Sequence, residues 1–132
     1  MSVHSIGELM TPVAYSVAED QSVVDAALRM KELSVRHLPV MRGSKLVGIV
    51  SHRDLAILEA IVNVHSLNLS VQAAMTPEPY TAHPHTSVIE VAGVMADHKY
   101  GAVVVVEDEE VKGIFTTTDA LRVLAELERE RP

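Results

Sequence analysis

The chain contains no cysteine and no tryptophan, and its aromatic side chains are one phenylalanine and three tyrosines among 132 residues. The lack of cysteine excludes a disulfide framework, a thiolate nucleophile and a zinc site built from cysteines. With 48% hydrophobic residues the chain still has ample material for a core, which aliphatic side chains must fill by interdigitation. Its length is that of a single compact domain.

Basic residues are also scarce: the chain has 11 lysines and arginines but 18 aspartates and glutamates, so its net charge is −7. Such a charge disfavours a nucleic-acid surface, which needs a basic patch to displace counterions. No stretch of the sequence reaches the roughly 20 apolar residues of a membrane helix, and the first ten residues lack the features of a secretory signal. We therefore expect a cytoplasmic protein without a nucleic-acid or membrane partner.

What the sequence does contain is an internal repeat with a spacing of 65 residues and no gap. A proline turn, a glycine and an aspartate all recur in this register: Met10-Thr11-Pro12 as Met75-Thr76-Pro77, Gly48-Ile49 as Gly113-Ile114, and Asp54 as Asp119. Repeats of this kind usually mean that one copy cannot bury its hydrophobic face alone. We expect two similar halves that carry equivalent groups.

The first copy predicts a short turn of helix, two longer helices and a hairpin. Capping boxes at residues 5–8 and 22–25 predict two helix starts, and Pro12 is expected to stop the first helix. Residues 37–41 and 46–50 are predicted as the strands of a hairpin, and a further helix is expected to begin at Asp54.

The second copy predicts the same order of elements. A capping box at residues 87–90 predicts a helix that turns Val91, Ala92 and Met95 inward. Residues 102–106 and 111–115 are predicted as a hairpin, with the unbroken valines buried on both faces of the sheet. The fold class is therefore α/β (of the α+β kind), with two pseudo-symmetric repeats at residues 6–62 and 71–127, joined by a linker at 63–70. Each repeat is expected to be a small sheet with two packed helices, and both together form one module.

Two short motifs, Gly48 to Asp54 and Gly113 to Asp119, carry the chemistry. In each, a strand leads through a hydroxyl residue into a helix whose first turn holds an aspartate. The structural interpretation makes Ser51 or Thr116 an N-cap and the aspartate the acid of the first turn. The functional interpretation has the helix N terminus and hydroxyl bind a phosphate, while the carboxylate accepts hydrogen bonds from a ribose.

Together with Met-Thr-Pro at the entry of each copy and Arg36-His37-Leu38-Pro39-Val40 before the first hairpin, the paired motif resembles a tandem pair of cystathionine β-synthase (CBS) domains, a Bateman module. The resemblance covers roughly Ile6 to Leu124. It implies a stand-alone regulatory module that binds adenine nucleotides (AMP, ADP or ATP) or S-adenosylmethionine in clefts between the repeats. It also implies a homodimer of modules that signals to an unknown effector protein, with no cofactor besides the ligand.

The resemblance further implies roles for individual residues. Asp54 and Asp119 match the positions that hold the ribose hydroxyls, and contacts to ribose or phosphate fall on Ser51, Arg53, Thr116 and Thr118. Arg36 and His37 match a pair that reaches the phosphates in some members. The base is expected near Tyr15, Tyr80, Val35 and Tyr100.

The second copy departs from this pattern, because Gly101-Ala102-Val103-Val104 replaces Arg36-His37-Leu38-Pro39. Arg36 and Arg53 can form charge-assisted bonds to a phosphate, whereas the threonines of the second motif offer only neutral ones. We expect unequal sites, with phosphorylated nucleotides preferred at Asp54 and a weaker or less anionic ligand at Asp119.

Other interpretations have less support in the sequence. Among seven histidines, His83-Pro84-His85 is the tightest cluster, but no third ligand and no zinc-binding spacing accompany it, so no metal site is expected. No nucleophile and base can be paired, so no enzyme is expected. The aliphatic stretch from Leu55 to Val64 leaves open a ligand-independent dimerisation or adaptor module. A hydrolase or a metal-binding stress protein is a third possibility.

Overall fold

The computed structural model describes residues 4–12, 15–61 and 69–129, apart from the side chain of Glu128. The chain divides into two compact units, unit 1 with Met1–Ala14 and Tyr80–Pro132, and unit 2 with Tyr15–Pro79. The units therefore do not coincide with the sequence repeats, because the opening segment of each repeat belongs to the unit that contains the body of the other. Part of the predicted linker, residues 63–68, lies outside the described residues.

In chain order the elements are α1 (Ile6–Leu9), β1 (Thr11–Pro12), β2 (Val17–Ala18), α2 (Val23–Leu33), β3 (His37–Arg42), β4 (Lys45–Ser51), α3 (His52–Ile61), a 3-10 turn (Val71–Ala73), β5 (Thr76–Pro77), β6 (Thr81–Ala82), α4 (Val88–His98), β7 (Ala102–Glu107), β8 (Glu110–Thr116) and α5 (Thr117–Arg129). The predicted helices and hairpins occur in the predicted order, and the short strands β1, β2, β5 and β6 are added to them. The α/β class is confirmed.

Unit 2 is a four-stranded sheet in the order β2-β3-β4-β5, covered by α2 and α3. Strands β3 and β4 form the predicted antiparallel hairpin, and β2 lies parallel to β3. Helix α2 turns Ala26 and Met30 inward, as its apolar spacing predicts. The core of unit 2 contains no aromatic side chain and consists of Val17, Ala26, Met30, Leu38, Val40, Val50, Leu55 and Val71.

Unit 1 repeats this arrangement with a sheet in the order β1-β8-β7-β6. The predicted burial of both faces of β7 is confirmed, since Val103, Val104 and Val105 are all fully buried. The core cluster contains the only phenylalanine of the sequence and consists of Ile6, Val91, Met95, Val103, Val105 and Phe115.

Two local predictions were wrong. Ser5 does not cap the backbone of α1, because its hydroxyl donates instead to Glu8 Oε1 at 3.1 Å. Ala92 is exposed, although Val91 and Met95 are buried as predicted. The reason is helical geometry: residues four apart share a face, whereas adjacent residues point about 100° apart.

The caps predicted at Ser22 and Ser87 are confirmed by bonds from Asp25 N–H (3.0 Å) and Glu90 N–H (3.2 Å).

The Met-Thr-Pro segments form the outer strands of the two sheets. In unit 1, Thr11 and Pro12 of β1 pair with Ile114 and Gly113 of β8; in unit 2, β5 pairs with β4 in the same way. The contact is close, since a Cβ atom at Gly113 would lie 2.5 Å from Met10 Sδ and 2.7 Å from Thr11 O. A glycine is therefore required where the methionine crosses the strand.

This packing predicts that Gly113→Ala destabilises the protein, because the added methyl group displaces β1 from β8. We expect the free energy of unfolding to fall by about 1–3 kcal/mol, the usual cost of overpacking. Urea unfolding measures it. The control is Gly93→Ala in α4, where a Cβ meets nothing within 4 Å; it should raise stability by about 0.5–1 kcal/mol. Equal effects of the two substitutions would contradict this account of the strand contact.

Candidate functional site

The first predicted motif lies at the junction of β4 and α3 in unit 2. Ser51 Oγ accepts a hydrogen bond from Asp54 N–H, and Asp54 Oδ2 accepts one from Ser51 N–H, both at 2.9 Å. This reciprocal pair is a capping box, so the structural interpretation of the motif is confirmed. Asp54 Oδ1, in contrast, has no hydrogen-bond partner within residues 4–12, 15–61 and 69–129, and the carboxylate is only partly buried. The cap thus fixes a carboxylate that still has one oxygen to offer.

The sheet brings the other predicted residues of unit 2 to the same place. His52 N–H donates to the Arg36 carbonyl at 2.8 Å, and His37 is the cross-strand partner of Ser51. The side chains of Arg36 and Arg53 are exposed, and neither guanidinium forms an ion pair with a described residue. The backbone therefore places two arginines next to the capped carboxylate, and guanidinium groups are able to form charge-assisted bonds to a phosphate.

The helix N terminus itself offers less than the sequence suggested. Of the first three N–H groups of α3, that of His52 is bound to Arg36 O and that of Asp54 to Ser51 Oγ. Among the described residues this leaves the N–H of Arg53 to meet a ligand. An anion at this junction must therefore be held mainly by the arginine side chains rather than by the backbone.

The second motif has the same backbone arrangement in unit 1. Thr116 Oγ1 accepts from Asp119 N–H at 3.1 Å, Asp119 Oδ2 accepts from Thr116 N–H at 2.9 Å, and Thr117 N–H donates to Gly101 O at 3.1 Å. Thr118 is exposed at this junction. The two motifs thus share a capping box and differ only in the side chains around it.

One difference is that Asp119 is already neutralised. Its Oδ1 atom accepts from Arg122 Nη1 at 3.0 Å and from Thr11 Oγ1 at 3.4 Å, and the residue is 6% exposed. Ile57 occupies the position in unit 2 that corresponds to Arg122. The spacing of three residues from Asp119 on a helix was a visible signal for this ion pair, which the sequence analysis did not use.

The four residues expected near the base are split between the units. Tyr80 and Tyr100 stack in unit 1 with ring centroids 5.6 Å apart, and His98, which the sequence analysis did not include, stacks on Tyr100 at 5.1 Å. Burial raises the pKa of the Tyr80 phenol, with Glu90 and Tyr100 adding to the shift, so the phenol stays protonated at neutral pH. In unit 2, Tyr15 is half-exposed beneath the Arg29 guanidinium, and Val35 packs against the core.

The repeated sheet, the doubled capping box and the 65-residue register define a tandem-repeat α/β module. The family model described as CBS domain matches residues 6–60 and again residues 71–126. The chain belongs to the CBS domain family, and its two matches form a CBS pair.

Known proteins agree with this assignment. YlbB, an uncharacterised protein of Bacillus subtilis, is 34% identical over 116 residues, which are 86% of this chain and 78% of that protein. The inosine-5'-monophosphate dehydrogenase of Korarchaeum cryptofilum is 35% identical over 105 residues, which are 79% of this chain but 21% of that enzyme.

Solved structures show the same fold. The CBS domain pair of protein MJ0100, in complex with 5'-methylthioadenosine and S-adenosyl-L-methionine, aligns with a TM-score of 0.84 and 26% identity over 95% of this chain and 98% of that chain. CBSX2 from Arabidopsis thaliana, in complex with AMP, gives a TM-score of 0.78 and 28% identity over 95% and 98% of the two chains. Binding of adenosyl compounds is therefore a property found in this family.

The sequence analysis also expected no enzyme activity and no membrane partner. CBS pairs are regulatory modules, while the absence of catalytic activity in this chain stays a prediction. Within the described ranges, no helix is both long and apolar enough to cross a bilayer.

Proposed function

We propose that this CBS pair is a cytoplasmic sensor of adenine nucleotides whose principal site is built around Asp54. The observation that carries the proposal is the capped carboxylate of Asp54 next to two exposed arginines; among the described residues, neither its Oδ1 atom nor either guanidinium has a hydrogen-bond or ion-pair partner. The adenosyl compounds in two solved relatives support the ligand class. We propose AMP, ADP or ATP as ligands, without any further cofactor.

The ribose is recognised by the carboxylate of Asp54. The 2'- and 3'-hydroxyls of a ribose are donors, and the open Oδ1 atom is an acceptor that the capping box holds in a fixed orientation. Ser51 N–H already binds the Oδ2 atom of Asp54, and Ser51 Oγ binds its backbone N–H. The aspartate side chain therefore loses little conformational entropy when the ribose binds.

The phosphate is recognised by Arg36 and Arg53, with His37 nearby. The whole chain carries a net charge of −7, which repels a free nucleotide, so the attraction must come from charges within a few ångströms of the phosphate. The guanidinium groups meet this requirement through charge-assisted, bidentate bonds. A ligand without a phosphate gains no affinity from these guanidinium groups.

The Asp119 site is proposed to take a less anionic adenosyl ligand, such as S-adenosylmethionine, or to bind more weakly. Arg122 and Thr11 already occupy the Oδ1 atom, so a ribose must compete with them. The stacked pair Tyr80 and Tyr100 offers π faces to an adenine ring, with Thr116 and Thr118 as neutral donors.

Signalling requires that the ligand bind two states of the module unequally. We propose that the module acts on an effector protein as a homodimer. The helices α3 and α5 carry large apolar side chains in water: Ile57 (49% exposed), Ile61 (76%), Leu121 (67%) and Leu124 (58%). These exposed apolar side chains would also serve the alternative function, a dimerisation or adaptor module that needs no ligand.

The Asp54 assignment predicts that Asp54→Asn weakens AMP binding while the helix cap survives, because asparagine retains a carbonyl acceptor for Ser51 N–H. Hydrogen bonds to a charged group are worth about 1.5–3 kcal/mol, so the affinity should fall roughly 10- to 150-fold. Isothermal calorimetry with AMP, ADP, ATP and S-adenosylmethionine measures it.

The matched control is Asp119→Asn, which alters the same position of the other repeat. It should leave the tighter site unchanged, because the Asp119 carboxylate is held by Arg122. Equal losses in the two variants, or a loss confined to Asp119→Asn, would refute the assignment of the principal site. No binding of any of the four compounds by the wild-type chain would favour the adaptor function.

A second prediction concerns the phosphate. The double variant Arg36→Ala/Arg53→Ala should lose at least about ten times more affinity for AMP than for adenosine, since a charge-assisted hydrogen bond is worth about 1.5–3 kcal/mol. Lys31→Ala/Lys45→Ala removes the same charge from exposed positions of the same unit and should affect neither ligand. If AMP and adenosine lose affinity equally, the arginines do not read the phosphate.

A third prediction concerns assembly. At micromolar concentration the chain should sediment as a dimer, and Leu121→Asp should dissociate it because a charge is placed on the buried face. Ile89→Asp is the control, since Ile89 is equally exposed (68%) but lies on α4. A wild-type chain that remains monomeric throughout, or a control that also dissociates, would show that α3 and α5 do not form the dimer contact.

A further inference from the structure

A cluster of metal-ligating side chains lies in unit 1, at the opposite end of the β7–β8 hairpin from the Thr116–Asp119 capping box. His83 and His85 follow β6, and Glu107 ends β7. Strands β6 and β7 are parallel neighbours, with Ala82 opposite Val105, so their carboxyl ends meet at one corner of the sheet. One ligand atom from each of the three residues lies within 4.8 Å of the others. The sequence showed two histidines without a third group, and the sheet supplies it.

The backbone of the histidine loop is held in place by α1. Ile6 N–H donates to Thr86 O and Gly7 N–H to Pro84 O, both at 2.8 Å, while Thr86 N–H donates to His83 O at 2.9 Å. A Cβ at Gly7 would lie 2.9 Å from Pro84, which shows how closely the helix and loop approach. The two imidazoles therefore extend from a fixed loop, and only their side-chain torsions need to adjust to a ligand.

The side chains already face each other. His83 Nε2 lies 3.4 Å from Glu107 Oε2, and the two imidazole rings are 5.1 Å apart. His83 Nδ1 accepts a hydrogen bond from His85 N–H at 3.1 Å, so in the neutral ring the proton sits on Nε2, toward the carboxylate. A cation bound at Nε2 replaces that proton, which moves to Nδ1, and the bond from His85 N–H is given up.

We propose that His83, His85 and Glu107 bind one divalent transition-metal cation, with zinc as the cation that best fits the donor set. Two imidazole nitrogens and one carboxylate oxygen form a zinc site that leaves a fourth position to water. At bond lengths of roughly 2.0–2.2 Å, tetrahedral ligand atoms lie about 3.3–3.6 Å apart, so ligand atoms within 4.8 Å of one another must approach by up to about 1.5 Å. His83 and Glu107 are 49% and 37% exposed and can move this far without displacing the core.

The equivalent corner of unit 2 serves as an internal comparison. There the same backbone bonds occur, from Val71 N–H to Gln21 O and from Gln72 N–H to Glu19 O. The strand-end position that Glu107 holds in unit 1 is Arg42 in unit 2, and Arg42 pairs with Glu19 at 2.6 Å. A guanidinium in this corner excludes a cation, so the metal site belongs to unit 1 alone.

The test uses zinc and the full chain without any nucleotide, so its outcome does not depend on the proposed sensor function. Zinc is titrated against a chromophoric chelator, and cobalt is added separately to record its visible absorption. The wild-type chain should bind one equivalent of zinc, raise its melting temperature with zinc, and give the intense bands of four-coordinate cobalt. A large excess of magnesium should not compete, because it prefers oxygen ligands and octahedral geometry.

His83→Ala, His85→Ala and Glu107→Gln should each lower the zinc affinity at least tenfold, while His98→Ala, which removes another exposed histidine of unit 1, should leave it unchanged. Circular dichroism of the metal-free variants checks that the fold is retained. An unchanged affinity in Glu107→Gln or in either cluster histidine variant would overturn the three-ligand site. So would an equal loss in His98→Ala, which would indicate diffuse binding to surface histidines.

Discussion

In each unit a methionine sulfur packs onto the glycine of a neighbouring strand, Met10 onto Gly113 and Met75 onto Gly48. Because these glycines lack a Cβ, β1 and β5 can reach hydrogen-bonding distance of β8 and β4 and complete the two sheets. The contact also reaches the candidate site motifs, since the glycine lies three residues before the hydroxyl residue of the capping box. In unit 1 it brings Thr11 to Asp119. Sheet edge, helix cap and candidate site are thus parts of one packing arrangement.

The elements that the sequence predicted well are those with a local signal. Capping boxes lie within four residues, hairpins need only two strands and a turn, and the valines of β7 are a continuous apolar run. The strands β1 and β5 lack such a signal, because two exposed residues show no periodicity and their partners are far away in sequence. The compact units therefore group the chain differently from its repeats, which a repeat alignment does not reveal.

The candidate site was predictable in its backbone and less so in its charges. Ser51 with Asp54, and Thr116 with Asp119, are paired as the motif predicts. Arg122 forms an ion pair with Asp119 but not with the equivalent Asp54. Glu107, which is distant in sequence, lies next to His83 and His85. The first effect has a local signal, because Arg122 lies three residues after Asp119 on the same helix. The second has none, because only the folded sheet brings Glu107 to the histidine loop. Two copies of one backbone have thus acquired different chemistry at equivalent positions, so repeat symmetry is a guide to geometry and a poor guide to ligand.

One unit is formed by a single segment of chain and the other by two segments, and this difference affects how the protein folds during synthesis. Unit 2 is a contiguous stretch of chain and can be completed soon after β5 leaves the ribosome. Unit 1 is discontinuous: Thr11 must find Asp119, 108 residues further along, so α1 and β1 stay without their partners until β8 and α5 have been synthesised. Contacts of such long sequence separation form slowly. Residues 6–12 are made before their partners and are among the last to fold, so the unpaired edge of β1 needs protection from aggregation in the nascent chain.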